Sequence, residues 1–166
     1  NTLVRYQFGG NVSFQPTDRW SGTILSNYLT MSNDAANDTI RISYSSLTLG
    51  TNQFLVFGED AVIQSVMLSY LYQESGNTSR IRPDLKFSSH SANAGITIPL
   101  GGNFALSPGV GLVVSVIAQQ PAQTMQSYTL SLQHRAFENS LVNVLSGVMS
   151  GGPTSTSYRS MFNSTY

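Results

Sequence analysis

Apolar residues recur at every second position in several stretches of this chain, and this period constrains the fold more than any other feature. Residues on one parity of segment 4–14 are Val4, Tyr6, Phe8, Val12 and Phe14. A two-residue period is typical of a β-strand with one apolar face, because successive side chains of a strand point to opposite sides. The sequence therefore predicts a chain built mainly from strands.

Further strands are marked by the same alternation or by short apolar runs. Residues 40–44 and 128–132 alternate, whereas 61–72 and 110–118 are apolar on both faces, which favours buried strands. Apolar residues four apart leave a helix as an alternative for 61–72. Residues 73–79 are predicted to form a loop, and the segments 110–118 and 128–132 to form the last hairpin of a sheet.

The period changes near the C-terminal end, where apolar residues recur at steps of three and four. This spacing runs from Phe137 through Val144 and stops at Gly151-Gly152-Pro153, which predicts an amphipathic helix of about fourteen residues. An apolar tail follows at 154–166 and is expected to dock on a partner. The predicted subunit interface consists of Phe137, Leu141, Leu145, Val148, Met161, Phe162 and Tyr166.

These patterns predict an all-β or mainly β fold. We expect antiparallel sheets in a jelly-roll-like sandwich over residues 1–134. Residues 135–166 are expected to form the C-terminal helix and tail, packed on the β domain or on a partner subunit.

Charge is scarce and balanced. Eight Lys and Arg face eight Asp and Glu, and charged residues make up 10% of the chain, against about 25% in an ordinary soluble domain. This balance argues against strong nucleic-acid binding, which normally needs a basic surface. The one concentration of positive charge is Arg80, Arg82 and Lys86, which predicts either sparse nucleic-acid contact or a solvated loop with Asp84 as local counter-ion.

Catalytic and metal-binding patterns are missing from the sequence. The chain has no cysteine, and its two histidines, His90 and His134, have no carboxylate at metal-ligand spacing. No Gly-x-Ser-x-Gly elbow occurs either. We therefore expect a non-enzymatic protein without a metal or another cofactor, and the apolar runs, all shorter than about 18 residues, predict no membrane span.

Two stretches resemble the single jelly-roll capsid subunits of small plant viruses. Residues 111–121 followed by 126–132 look like the closing strand pair of those subunits, and residues 57–70 are similar to an inner strand. A second resemblance is to the coat proteins of small RNA bacteriophages, in which a sheet precedes a C-terminal helix that clasps a dimer partner. Residues 127–132, the predicted helix at 137–149 and the end at 162–166 follow that order. The phage resemblance implies an RNA-facing sheet, whose basic residues here would be Arg80, Arg82 and Lys86.

The leading hypothesis from the sequence is a structural subunit that self-assembles into an icosahedral shell, most simply a virus or phage capsid protein located in the virion. Its partners would be copies of itself, with genomic RNA bound weakly by charge. A charge-poor surface suits this role, because packed copies then bury few ions. The alternative is an extracellular or cell-surface protein, either a secreted fimbrial or filament subunit or a sugar-binding adhesin domain with a glycan as partner.

Overall fold

The computed structural model describes residues 2–34, 42–58, 60–79, 85–118, 120–137, 140–152 and 155–161. Within these ranges every regular element is a β-strand. The strands are β1 (Thr2–Thr17), β2 (Trp20–Asp34), β3 (Ile42–Val56), β4 (Ser65–Ser79), β5 (Leu85–Gly101), β6 (Phe104–Ile117), β7 (Gln123–Phe137), β8 (Ser140–Gly152) and β9 (Ser155–Met161).

All nine strands belong to one sheet, in which each strand pairs antiparallel with its neighbours in sequence, in the order β1 to β9. The predicted all-β, antiparallel class is thus confirmed. A sandwich is not formed, because the strands extend a single meander and no second sheet covers it among the described residues. The hairpin predicted from 110–118 and 128–132 exists as the pair β6 and β7, with Val110 opposite Tyr128, but two further strands follow it.

The predicted helix over 137–149 is wrong, because β8 begins at Ser140 and pairs with β7 over the rest of that segment. Ser, Val, Asn and Gly fill most of 140–148 and are weak helix formers, and a long strand such as β7 offers a full row of backbone groups for pairing. The polar segment 73–79 is likewise a strand rather than a loop, since β4 continues through it between β3 and β5. Ladder hydrogen bonds on both sides outweigh its weak strand propensity.

Tight turns join several strands. Residues 18–19 connect β1 to β2, and residues 102–103 connect β5 to β6. The second turn needs left-handed backbone at three successive positions, with φ of 79° at Gly101, 59° at Gly102 and 67° at Asn103. Glycine and asparagine tolerate that region better than other residues, which explains why Gly-Gly-Asn stands there.

The sheet has no hydrophobic core. Among the residues whose side chains are described, no hydrophobic side chain is buried, and only Ser65 and Ser89 are. Large apolar side chains from Leu3 to Leu130 stand exposed instead. A single layer of this kind buries its apolar surface only when something outside the sheet covers it.

No helix in the described ranges is long and apolar enough to cross a membrane.

Candidate functional site

The strand registers divide the sheet into two chemically distinct faces. Residues directly opposite each other on paired strands share a face. The registers from β1 to β7 place the even-numbered residues of β1, β2, β4, β5, β6 and β7 on one face with the odd-numbered residues of β3. We call this side the apolar face and the opposite side the polar face.

Large hydrophobic side chains dominate the apolar face. The exposed ones are Tyr6, Phe8, Val12, Trp20, Ile24, Tyr28, Leu49, Leu68, Tyr70, Leu100, Phe104, Val110, Leu112, Val116, Tyr128 and Leu130. They extend across all seven strands, so the surface is continuous rather than a set of isolated exposed residues. A monomeric soluble protein rarely exposes an apolar patch beyond a few hundred Å².

Aromatic residues on this face lie toward both ends of the first two strands, with Phe8 beside Tyr6 at one end of β1. Tyr6 and Phe14 are eight positions apart in β1, and Trp20 and Tyr28 are eight positions apart in β2. Phe14 and Trp20 meet near the turn at residues 18–19, with ring centroids 5.9 Å apart in an edge-to-face arrangement. Aliphatic positions such as Ile24 lie between the aromatic ends.

Several polar side chains on the apolar face are hydrogen-bonded to other side chains of the same face. The Trp20 indole Nε1 donates to Gln53 Oε1 at 2.8 Å, and Gln53 Nε2 donates to Thr51 Oγ1 at 2.8 Å. Tyr128 Oη donates to Gln126 Oε1 at 3.2 Å. These bonds matter because an unsatisfied polar group is costly wherever water is excluded.

A compact group of tyrosine, histidine and glutamate side chains continues this pattern on β4 and β5. Tyr70 Oη lies 2.8 Å from His90 Nδ1, and Tyr72 Oη donates to Glu74 Oε2 at 2.6 Å. The Tyr72 and His90 rings lie 4.9 Å apart between centroids. Glu74 and Lys86 are the only charged residues among those of this face whose side chains are described, and they stand toward the end of β4 and the start of β5.

Hydroxyls, amides and glycines make up most of the polar face. Within the part of the sheet whose side chains are described, its only charge is Arg5, close to the start of β1, where Nη2 donates to Gln7 Oε1 at 2.7 Å. The centre carries Ser69, Asn93 and Ser127 instead, beside Gly111. The described ranges contain no group of three His, Asp or Glu side chains able to hold a metal ion.

The residues predicted to contact nucleic acid are only partly described. Lys86 lies in β5 opposite Gly76 of β4 and is exposed. Arg80 and Arg82 fall outside the described residues. Nucleic-acid contact through these three residues stays a prediction.

The predicted subunit interface is spread over three strands instead of one helix. Phe137 ends β7, and Leu141, Leu145 and Val148 lie in β8. Met161 ends β9, whereas Phe162 and Tyr166 fall outside the described residues. Contact of these residues with a partner subunit stays a prediction.

Sequence reasoning missed the apolar face. The signal was present, since the even parity of Val4, Tyr6 and Phe8 continues in Ile24 and Tyr28 of the next strand. The apolar face can be recognised only when the register between strands is known. The register decides whether the apolar residues of two neighbouring strands lie on the same side of the sheet or on opposite sides.

Comparison with known proteins places the fold. No protein-family model and no curated protein matches the chain. Among solved structures, the chain is similar to in-vitro folded OmpT in its trimer form, an outer membrane protein of Vibrio cholerae, with a TM-score of 0.62 and 9% sequence identity. The match covers 89% of this chain and 46% of OmpT, so the chain spans about half the length of that protein.

This likeness overturns the capsid hypothesis. The fold of this chain, a nine-strand meander, is similar to that of an outer membrane protein. It contains neither the two facing sheets of a jelly roll nor, in the described residues, the clasping helix of a phage coat protein. The predictions of a capsid protein, a virion location and an icosahedral shell are therefore wrong.

Proposed function

We propose that this chain forms part of the wall of a β-barrel in an outer membrane, with its apolar face against lipid and its polar face toward an aqueous interior. One observation carries the proposal: the sheet has one continuous apolar face, and none of the described residues forms a second layer that covers it. Hydrocarbon is the covering that suits such a face without requiring another protein layer. The role is non-enzymatic and requires no cofactor.

The height of the apolar face, measured between its aromatic residues toward the two ends of β1 and β2, supports a lipid-facing role. Eight residues separate the aromatic ends in β1 and β2, which is roughly 27 Å along a strand at about 3.4 Å per residue. Tilted by about 40°, the same segment rises roughly 21 Å, close to the apolar band of about 25 Å in outer-membrane barrels. Aromatic residues at both ends match the interfacial girdles of such barrels.

Hydrogen bonding across the sheet supports the same placement. A membrane-spanning sheet must satisfy its backbone groups internally, and each of the strands β2 to β8 pairs on both sides. The bonds of Trp20 and Tyr128 to neighbouring glutamines satisfy the polar atoms that would otherwise face lipid. Their donors are amphipathic rings of the kind found at membrane interfaces.

Closure of the wall requires strands beyond these nine. The outer edges of β1 and β9 have no strand partner in the described sheet, and a free edge cannot lie in hydrocarbon. Further strands of the same polypeptide or strands of other copies would complete the barrel. An outer-membrane or cell-surface location follows and replaces the expectation of no membrane span, which considered only helix-length apolar runs.

Single-cysteine labelling tests which face meets lipid. The chain contains no cysteine, so Leu68→Cys on the apolar face and Ser69→Cys on the polar face give adjacent, matched positions in β4. Each variant is labelled with a polarity-sensitive fluorophore in urea and folded into vesicles containing brominated lipid. We expect strong quenching and blue-shifted emission at position 68 and weak quenching at position 69. Equal quenching at both positions would contradict the proposal.

A further inference from the structure

We propose that a recess on the polar face binds uncharged polyols of monosaccharide size. The inference rests on the proposed function, because it treats the polar face as the side that meets water and solutes. The recess has a volume of about 510 Å³, within the range of about 300 to 1,000 Å³ typical of small-molecule sites.

Paired residues of five strands form the floor and walls of the recess. Phe54, Met67, Gly95, Gly109 and Thr129 stand opposite one another in turn from β3 to β7. The two glycines leave the centre of this row low, while Phe54, 44% exposed, rises at one end. Thr129 stands at the other end and leans over Gly109, where an added Cβ would lie 2.6 Å from its Oγ1.

The lining offers hydrogen bonds without charge. Asn93 Nδ2 donates to Ser69 Oγ at 3.2 Å on one side of the row, and Thr97 Oγ1 lies 3.5 Å from Ser107 Oγ on the other side. None of the residues around the recess is ionised at neutral pH. Hydroxyls and amides both donate and accept, which is the complement that a polyol requires.

Ser65 adds a buried hydroxyl to the lining. It is 8% exposed and lines the recess between the Phe54 and Thr97 positions. A buried hydroxyl is normally satisfied, and a hydroxyl of a bound polyol suits this position.

The chemistry of the lining selects the class of ligand. An ion would lose hydration without meeting an opposite charge, and a purely apolar molecule would leave the serine and asparagine groups unsatisfied. A polyol presents hydroxyls to the polar groups and its C–H surface to the Phe54 ring. The recess therefore suits a neutral monosaccharide better than either alternative.

Methyl NMR of the full chain folded in detergent micelles tests this inference with glucose as the probe. The Met67 methyl group faces the recess, where an added Cβ at Gly95 would lie 4.0 Å from its Cε. With ¹³C-methyl methionine, we expect glucose at millimolar concentration to shift the Met67 signal saturably. Met31 lies outside the lining and should not shift. Gluconate and butanol should shift Met67 at least tenfold less at the same concentrations.

Two glycine variants distinguish the loss of glucose binding at the recess from general damage to the fold. At Gly95 an added Cβ has no neighbour closer than 3.7 Å, so Gly95→Val should weaken glucose binding at least tenfold by filling the recess. Gly76→Val has similar room on the apolar face, at 3.7 Å, and should bind glucose within twofold of the parent.

A pair of phenylalanine variants tests the aromatic end of the recess. Phe54→Ala is expected to weaken glucose binding about fivefold. Its matched control is Phe104→Ala, because the Phe104 ring is 40% exposed on the other face.

The outcomes distinguish the two proposals. A chain that folds in micelles but gives no glucose-dependent shift, or an equal shift with gluconate or butanol, overturns the polyol site and leaves the membrane role intact. Equal lipid quenching at positions 68 and 69 overturns the membrane role and, with it, the polyol site.

Discussion

The effect of a charge at Ile24 depends on whether the apolar face meets water or lipid. Ile24 stands midway between Trp20 and Tyr28 in β2, it is 53% exposed, and its neighbour Thr23 belongs to the polar face. In water an exposed isoleucine is unremarkable, because folded proteins commonly leave single apolar residues exposed. In hydrocarbon the same position tolerates no charge.

A lysine scan at this site tests the proposal at the residue scale. Ile24→Lys should destabilise the folded chain in lipid vesicles by about 2 to 4 kcal/mol, because the ammonium group enters the middle of the apolar band. Thr23→Lys, in which the lysine faces the aqueous side, should lose much less. Urea unfolding from vesicles, followed by tryptophan fluorescence of Trp20, measures both variants. Similar losses for the two would count against a lipid-facing β2.

At the scale of the element, the β5–β6 turn depends on backbone conformation rather than on packing. Gly102 adopts a φ of 59° with little around the position of a Cβ, so only conformational strain opposes a side chain there. Gly10, in the middle of β1, has nothing within 4 Å of an added Cβ and no positive φ. Alanine at Gly102 therefore tests the cost of backbone strain, whereas alanine at Gly10 tests a position with neither backbone strain nor a close contact.

Alanine at these glycines should have opposite effects on stability. Gly102→Ala is expected to lower the free energy of unfolding by about 1 to 2 kcal/mol, the cost of left-handed backbone for a residue with a Cβ. Gly10→Ala should leave stability unchanged or raise it by up to about 1 kcal/mol, because it restricts the unfolded chain. Urea titration of both variants in the same micelles gives the comparison, and an unaffected Gly102→Ala would show that the turn relaxes.

Strand elements could be predicted where alternation was clear, as in residues 4–14 and 128–132, because the period of two is a local property. The segment 137–149 was mispredicted because apolar spacing at three and four residues also occurs by chance in a Val-rich and Ser-rich strand. Residues 73–79 were mispredicted because their strand structure comes from pairing with β3 and β5. Neither a register nor a pairing partner is encoded within such a short window.

The part of the molecule whose side chains are described contains no buried hydrophobic core. With no buried hydrophobic side chain among those described, the sheet gains little from water alone. The candidate recess could not be predicted from the sequence either, because Phe54, Gly95 and Thr129 become neighbours only through the registers of four hairpins.

Folding should therefore depend on an amphiphile. Diluted from urea into buffer, the chain is expected to aggregate, whereas dilution into detergent micelles or lipid vesicles should give a β-sheet circular dichroism spectrum and resistance to protease. Sedimentation in the presence and absence of micelles provides the control. A monodisperse, β-structured monomer in plain buffer would contradict the membrane role.

The meander order has a consequence for how such a wall could evolve. Because every strand pairs only with its neighbours in sequence, a hairpin can be duplicated or deleted without rerouting any other connection. The circumference of a sheet built this way is then set by the number of repeated hairpins, in steps of two strands. A sheet that matches about half of OmpT can thus share its local architecture at 9% sequence identity.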